Sequence, residues 1–448
     1  MDNVLEGKKV VTIIFALMLF VAASAMIWPV LFKYEFNGKI KREVYYVALL
    51  AVAALMVRLI CACIYTGHNY DTSCFRSWAS RLAADGFAAF YSSGNFNNYP
   101  PGYMYVLYII GKISSHYSLS AEAFNIALKI PAIICDIASG MFVYKVAKKR
   151  FSLNVALIVM SVWLFNPAVI TDSSLWGQVD IAYTFFLGLM LYFMAEKKLI
   201  YSYFMFALCI LLKPQTFIIT PILIYGIIEQ VFLAGFDKRI FWKHLLWGCV
   251  AIGMIFLVSA PFGIKYVFEQ YKETLQGSEY IVQNAFNVWG ALGKNYAWIT
   301  NTASIIGYVL IGISVVFVTF VFFKSKGKEK VYFSAALLML CSFMLSVKMN
   351  ERYAFAVMLF LLLASIEKTT KNNTLSYVLM TLSQFFNIAW VLFVFETDFY
   401  KYYPSKQICV YSAINILIFV YIVYVGLTDY CGVIGVKEKS SEKVEKKC

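Results

Sequence analysis

The residues best placed to do chemistry begin with Asp71, in the run His68-Asn69-Tyr70-Asp71 just past an apolar stretch. About thirty residues on comes Asn98-Tyr99-Pro100-Pro101-Gly102, with Arg76, Trp78 and Arg81 between them. A carboxylate at the outer end of an apolar span, followed by aromatics, is partly desolvated. That raises its basicity toward what a general base acting on a hydroxyl requires. The plainer reading is a helix cap or an ordinary loop carboxylate. Pro100-Pro101-Gly102 is a natural helix opening; before a short apolar helix it either floors a cavity or simply starts that helix.

Three cations fall at the ends of later apolar stretches. Lys213, in Lys213-Pro214-Gln215, either snorkels to the interface or holds a phosphate as a point charge. Lys348 and Arg352 offer the same choice, and Arg352 suits bidentate phosphate binding. Glu351 beside them orients the arginine or touches a sugar hydroxyl. Trp176-Gly177-Gln178-Val179-Asp180 and Gln283-Asn284-Ala285-Phe286-Asn287-Val288-Trp289-Gly290 combine amides, a carboxylate and indoles. Such sets suit sugars, which present hydroxyls in plane and C–H bonds on their faces; interfacial anchoring by tryptophan is the alternative. The resulting substrate-binding set is Asn69, Arg76, Tyr99, Pro100, Gln178, Asp180, Lys213, Gln215, Asn284, Asn287, Trp289, Lys348, Glu351 and Arg352. Lys129 and Asp136 share one face of one apolar segment, and structural pairing with neighbouring helices is the favoured reading.

Several function classes lose support. No P-loop, G-x-G-x-x-G, H-E-x-x-H or G-x-S-x-G run is present. The ten cysteines are scattered with no C-x-x-C pair, so neither a zinc site nor a disulfide framework is indicated. No ligand spacing argues for a metal, although Asp and Glu leave a divalent ion open. The net charge of +14 comes from short basic runs between apolar segments rather than from a helix face, which speaks against nucleic acid.

Those runs reveal the framework. With 61% hydrophobic and 14% charged residues, the chain repeatedly reaches the roughly 20 apolar residues that cross a bilayer core. Spans are expected near 10–32, 44–66, 122–146, 152–171, 178–195, 199–213, 214–234, 241–262, 303–323, 331–347, 352–366, 374–396 and 407–428. The first run could mimic a secretory signal but is long enough to span. The short piece 103–114 is read as non-spanning. The loops then divide cleanly, and 24 of the 39 Lys and Arg fall on one side, in segments 33–43, 145–150, 196–198, 235–243, 324–330, 367–373 and 435–448. By the positive-inside rule that side is cytoplasmic, with the N-terminus outside. Asp71 and the other polar clusters then emerge together on the extracytoplasmic face. The expected organisation is one all-α polytopic membrane unit over 1–434, with large outer loops at 67–121 and 263–302. A charged tail, 435–448, follows and is expected to be disordered.

Six collinear motifs over about residues 65–355 carry a resemblance. They are Asn69-Tyr70-Asp71 with Arg76-Ser77-Trp78-Ala79 and Asn98 to Tyr103; Lys129-Ile130-Pro131 with Asp136; Phe165-Asn166-Pro167; Trp176 to Asp180; Leu212 to Gln215; and Asn284 to Trp289. Together they resemble the bacterial relatives of the second GPI mannosyltransferase, within the GT-C glycosyltransferases. The resemblance implies a GT-C-like bundle, here of about thirteen transmembrane helices, with juxtamembrane helices in the first outer loop. It also implies a lipid-phosphate sugar donor and an aspartate base that maps to Asp71. Where the family pattern has a histidine before Glu-Arg-Tyr, this chain has Asn350. The function to expect is inverting transfer of a hexose, mannose first, from a polyprenyl phosphate to a glycan, lipid or protein acceptor at the outer face of the cell membrane. No cofactor beyond that donor is implied. A transporter or lipid flippase is the rival from another class, and a lipid-diphosphate oligosaccharide ligase the rival within transferases.

Overall fold

The computed structural model describes residues 43–92, 94, 96–395 and 406–433. The expected span 10–32 and the tail 435–448 lie outside them. The described chain is helical almost throughout. Helix α1 (Glu43–Ile64) leads to α2 (Asn69–Ser92, broken at Gly86), α3 (Pro101–Tyr117) and α4 (Ala121–Lys148). A bent pair follows, α5 (Leu153–Leu164) and α6 (Pro167–Ile170), continued by a π-turn over Thr171–Trp176. Then come α7 (Asp180–Ala195), α8 (Leu199–Leu212), a 3₁₀ turn (Pro214–Ile219) with α9 (Thr220–Ile227), α10 (Lys238–Ser259) and α11 (Ile264–Gln276). A short α12 (Val288–Ala291) precedes α13 (Asn301–Lys324), α14 (Glu329–Leu345), α15 (Phe355–Glu367), α16 (Lys371–Trp390) and α17 (Lys406–Val425).

Seven helical stretches among the described residues are long and apolar enough to cross a membrane, and the α5–α6 pair, bent by 43°, makes an eighth. The bend has a local cause. Asn166 accepts hydrogen bonds from the amides of Ala168 and Val169 and so caps a new helix, in which Pro167 takes the first position. Three further apolar helices, α7, α8 and α15, are shorter. With α14 they run only about 20–26 Å at 1.5 Å per residue, less than the roughly 30 Å hydrocarbon core. Their short lengths share a reason. One end of each of the four leads into Gln178–Asp180, Lys213–Gln215 or Ser346–Ala354, the loops that carry the polar clusters. The bundle is cut short on that side to make room for a cavity.

The expected first loop, 67–121, holds a pair of packed helices. In α2 and α3 the backbones meet so closely that a Cβ on Gly111 would lie 2.1 Å from the Ala79 carbonyl oxygen. Helix α3 ends in Lys112, Ser114, Ser115 and His116, and it is not among the helices long and apolar enough to span. The Tyr105 hydroxyl ties it to the Val258 carbonyl of α10 at 2.8 Å. Farther along, two short parallel strands, β1 (Val282–Gln283) and β2 (Met349–Asn350), clip the 263–302 stretch to the segment bearing Arg352.

Candidate active site

The loops at these helix ends border one large cavity of about 1370 Å³. Most residues expected at the site line it: Asn69, Asp71, Tyr99 and Pro100 from the 67–121 stretch, Gln178, Lys213 and Gln215 from the short-helix ends, and Asn284, Lys348, Glu351 and Arg352 from the clipped loops. Segments hundreds of residues apart therefore meet at one cavity.

Asp71 lies in the first turn of α2 with its side chain 20% exposed. Its Oδ2 accepts hydrogen bonds from Trp176 Nε1 and Gln178 Nε2, both at 2.7 Å. Tyr99 donates to Gln178 Oε1 at 2.9 Å and so fixes which end of that amide faces the carboxylate. His68 stacks on the Trp176 indole, ring centroids 4.7 Å apart, and its backbone amide donates to the Trp176 carbonyl at 3.0 Å. Gly67 makes that approach possible: its φ is +113°, and a Cβ there would meet Thr72 Oγ1 at 2.5 Å and the Trp176 carbonyl at 2.7 Å. Behind the π-turn, the buried Lys129 ammonium donates to the carbonyls of Tyr65, Ser174 and Leu175. Lys129 and Asp136 are thus both structural: Asp136 pairs with Arg58 of α1 at 2.7 Å, and both side chains are fully buried. Trp176 and His68 line the site but were given no role in the sequence reading, although each opens one of the quoted runs.

The cations are already engaged. Lys213 is 5% exposed and donates to Asp180 Oδ1 at 2.6 Å. The Arg352 guanidinium lies 4.4 Å from the Trp176 ring centroid and is ringed by three carboxylates: Glu351 at 2.5 Å, Asp180 at 3.4 Å and Asp71 at 3.6 Å. Burial alone pushes the Asp71 carboxyl up, but Arg352, His68 and the two hydrogen bonds outweigh it and hold the group below its ordinary value. The expectation of raised basicity is therefore corrected: the desolvated carboxylate is outbid by its neighbours. Glu351 behaves oppositely. Burial raises it, and the Arg352 charge only partly compensates.

Lys348 differs from the other two cations. Among the described residues it makes no ion pair; its ammonium donates to the Gln276 carbonyl. Its backbone sits at φ +61°, a left-handed conformation costing a non-glycine residue of order 1–3 kcal/mol. The β1–β2 clip and its own amide, bonded to the Ile281 carbonyl at 2.6 Å, hold it there.

Four expected residues do not line the cavity. Arg76 turns away to Asn125 of α4. Asp180 stands behind the wall, holding Lys213. Asn287 caps α12 and donates to the Phe343 carbonyl, and Trp289 Nε1 donates to the Leu345 carbonyl. The last two pin the second outer loop onto the end of α14. No group of three or more His, Cys, Asp or Glu arranged to hold a metal is found among the described residues.

Two comparisons bear on this geometry. A family model described as glycosyltransferase family 87 matches residues 96–365, which include every cavity-lining position above from Tyr99 to Arg352 but not Asp71. A curated protein described as GPI mannosyltransferase 1, from Kluyveromyces lactis, is 29% identical over 154 residues. That alignment covers 34% of this chain and 34% of the relative, so the chain spans about a third of that protein's length.

Proposed function

The chain belongs to glycosyltransferase family 87, and on that premise we propose that this multi-pass membrane transferase moves a sugar from a polyprenyl-phosphate donor to an acceptor hydroxyl with inversion, Asp71 acting as the base. Membership sets aside the transporter and flippase reading. Mannose is the first sugar to test, because the printed name of the relative is that of a mannosyltransferase. The distribution of basic loops supports an extracytoplasmic site in the cell membrane, within one transmembrane domain over 1–434.

The observation that supports the reading best is the meeting of Asp71, Arg352 and Lys348 in one cavity. In the proposed step the acceptor oxygen forms a bond to the anomeric carbon and gives its proton to Asp71. The bond from that carbon to the phosphate oxygen breaks, and its electron pair leaves on the phosphate. Preorganised cations stabilise that developing charge. Lys348 is the cation available to the phosphate, since Lys213 is consumed by Asp180. Arg352 reaches both partners: as it turns toward phosphate, Asp71 loses its main acidifying neighbour and becomes a better base. Glu269, Glu273 and Tyr280 line the far side of the cavity and suit the hydroxyls of a sugar acceptor.

The test is transfer by purified protein from labelled polyprenyl-phosphate mannose, against other sugars, with the anomeric configuration of the product determined. No product from any such donor, or a product with retained configuration, sinks the proposal. Lys348→Ala should raise the KM for donor about tenfold with little change in kcat, the size of one charge-assisted hydrogen bond. An unchanged KM would remove Lys348 from the phosphate site.

The pH dependence follows from the direction of the Asp71 shift. A lowered carboxyl stays deprotonated, and competent, throughout the neutral range, and loses that form only below the ordinary aspartate value of about 3.9. The acid limb of kcat/KM for acceptor should therefore fall below that value in the wild type. In Arg352→Gln it should move upward, because burial then dominates. A limb that stays put in the variant would show that Arg352 does not tune Asp71.

A further inference from the structure

The Lys129 ammonium, 1% exposed, closes two helix ends at once. It reaches the Tyr65 carbonyl at 2.5 Å, just past the end of α1, and the Ser174 and Leu175 carbonyls of the π-turn at 2.9 and 3.2 Å. Carbonyls at a helix end lack partners within the helix, and a cation there also meets the negative end of the dipole. Among the described residues the lysine makes no ion pair, so its charge is directed at these two ends. To arrive there its side chain passes between two glycines held at positive φ. A Cβ on Gly67, at φ +113°, would lie 3.6 Å from Lys129 Cε, and one on Gly177, at φ +87°, would lie 3.3 Å from it. Gly67 leads into His68 and Asp71, and Gly177 separates Trp176 from Gln178, the two residues that donate to Asp71.

We propose that Lys129 is a positioning residue for the transfer: it fixes the seam between the Gly67 and Gly177 turns, so that Trp176 and Gln178 hold Asp71 in place before substrate arrives. The inference rests on the reading of Asp71 as the base and deepens it. The connections that carry the effect run across the seam. The His68 amide bonds to the Trp176 carbonyl at 3.0 Å, and the amides of Gly177 and Gln178 both bond to the Asp172 carbonyl, at 3.1 and 3.0 Å. A π-turn is a rare backbone form, frequent at functional sites, and this one has the lysine at its end. Without the ammonium three carbonyls lose a donor, and leaving such groups unmet inside the protein is unfavourable. The two turns then shift apart to find other partners, and the indole and the amide leave Asp71 with them.

The test uses two variants. Lys129→Met removes all three bonds. Lys129→Arg keeps the charge, but a planar fork does not direct three donors from one point as an ammonium does. In the molecules that stay folded in detergent, Lys129→Met should lower kcat about ten- to a hundredfold, with Lys129→Arg between it and wild type. KM for donor should hold, because Lys348 sits on another segment. The acid limb of kcat/KM for acceptor should move up by about one pH unit in Lys129→Met, since the Trp176 and Gln178 hydrogen bonds help to hold Asp71 low. Arg352, His68, Glu351, Tyr70, Cys74 and Tyr99 also face Asp71 and are unaltered in both variants. Folded variants with wild-type kcat and acid limb, however much lower their unfolding temperature, reduce Lys129 to a structural clamp and overturn the inference while leaving the base in place. A loss carried by KM for donor alone overturns it too, as does failure of both variants to fold. Wild-type turnover by Asp71→Asn removes the base and this inference together.

Discussion

Asp71→Asn should reduce transfer by about 10²–10⁴-fold, the range that a positioned general base contributes, while donor binding and the fold persist. The amide keeps an oxygen where Trp176 and Gln178 now donate at 2.7 Å, so the local hydrogen bonds survive the change. What disappears is the capacity to take a proton. The lost ion pair with Arg352 is a minor matter for stability, because it is long at 3.6 Å and Asp71 is partly exposed. Donor affinity measured beside turnover separates the two roles: KM for donor should hold or fall slightly, since a negative charge near the phosphate has gone. Near wild-type turnover in this variant would leave the cavity without its proposed base. Asp71 lies outside the span matched by the family model, so this experiment carries the assignment alone.

Lys213→Met should act on the fold rather than on the donor. Lys213 and Asp180 form a pair whose side chains are 6% and 2% exposed. Removing the lysine leaves the buried Asp180 carboxylate with only the longer Arg352 contact at 3.4 Å, at a cost of up to about 3–5 kcal/mol. Arg352 Nε already lies 3.4 Å from Asp180 Oδ2, whereas the lysine holds Oδ1 at 2.6 Å, so the arginine compensates only in part. The double variant Lys213→Met/Asp180→Asn should recover most of the loss, because removing a buried pair entirely is often near neutral. Heat-induced unfolding in detergent checks this, with donor KM measured on whatever remains folded. A single variant that melts like wild type yet binds donor many times more weakly would restore Lys213 as a phosphate ligand.

The motifs around Asp71, Tyr99, Gln178, Lys213 and Arg352 were legible because each sits where an apolar run stops, and such boundaries are visible one segment at a time. The helices were legible for the same reason. The expected spans that fall on described residues all coincide with helices or, at Phe165-Asn166-Pro167, with a bent pair. The expectation for 103–114 rested on its length, and α3 is not among the helices long and apolar enough to cross a membrane.

Partnership was not legible. Lys213, Lys348 and Arg352 look equivalent along the chain, yet one is buried against Asp180, one sits on a strained backbone with no ion pair among the described residues and donates to the Gln276 carbonyl, and one is shared among three carboxylates. Arg76, Asn287 and Trp289 read as sugar ligands but hold α4 and α14 instead. The direction of the Asp71 shift likewise depends on Arg352, 281 positions away in sequence. Apolar runs, caps and charge bias are local or additive properties, so the order of residues determines them directly. Which charge neutralises which depends on distances of a few ångströms between segments that only the packed bundle brings together, and there Coulomb energy changes steeply enough to reverse an expectation drawn from residue type.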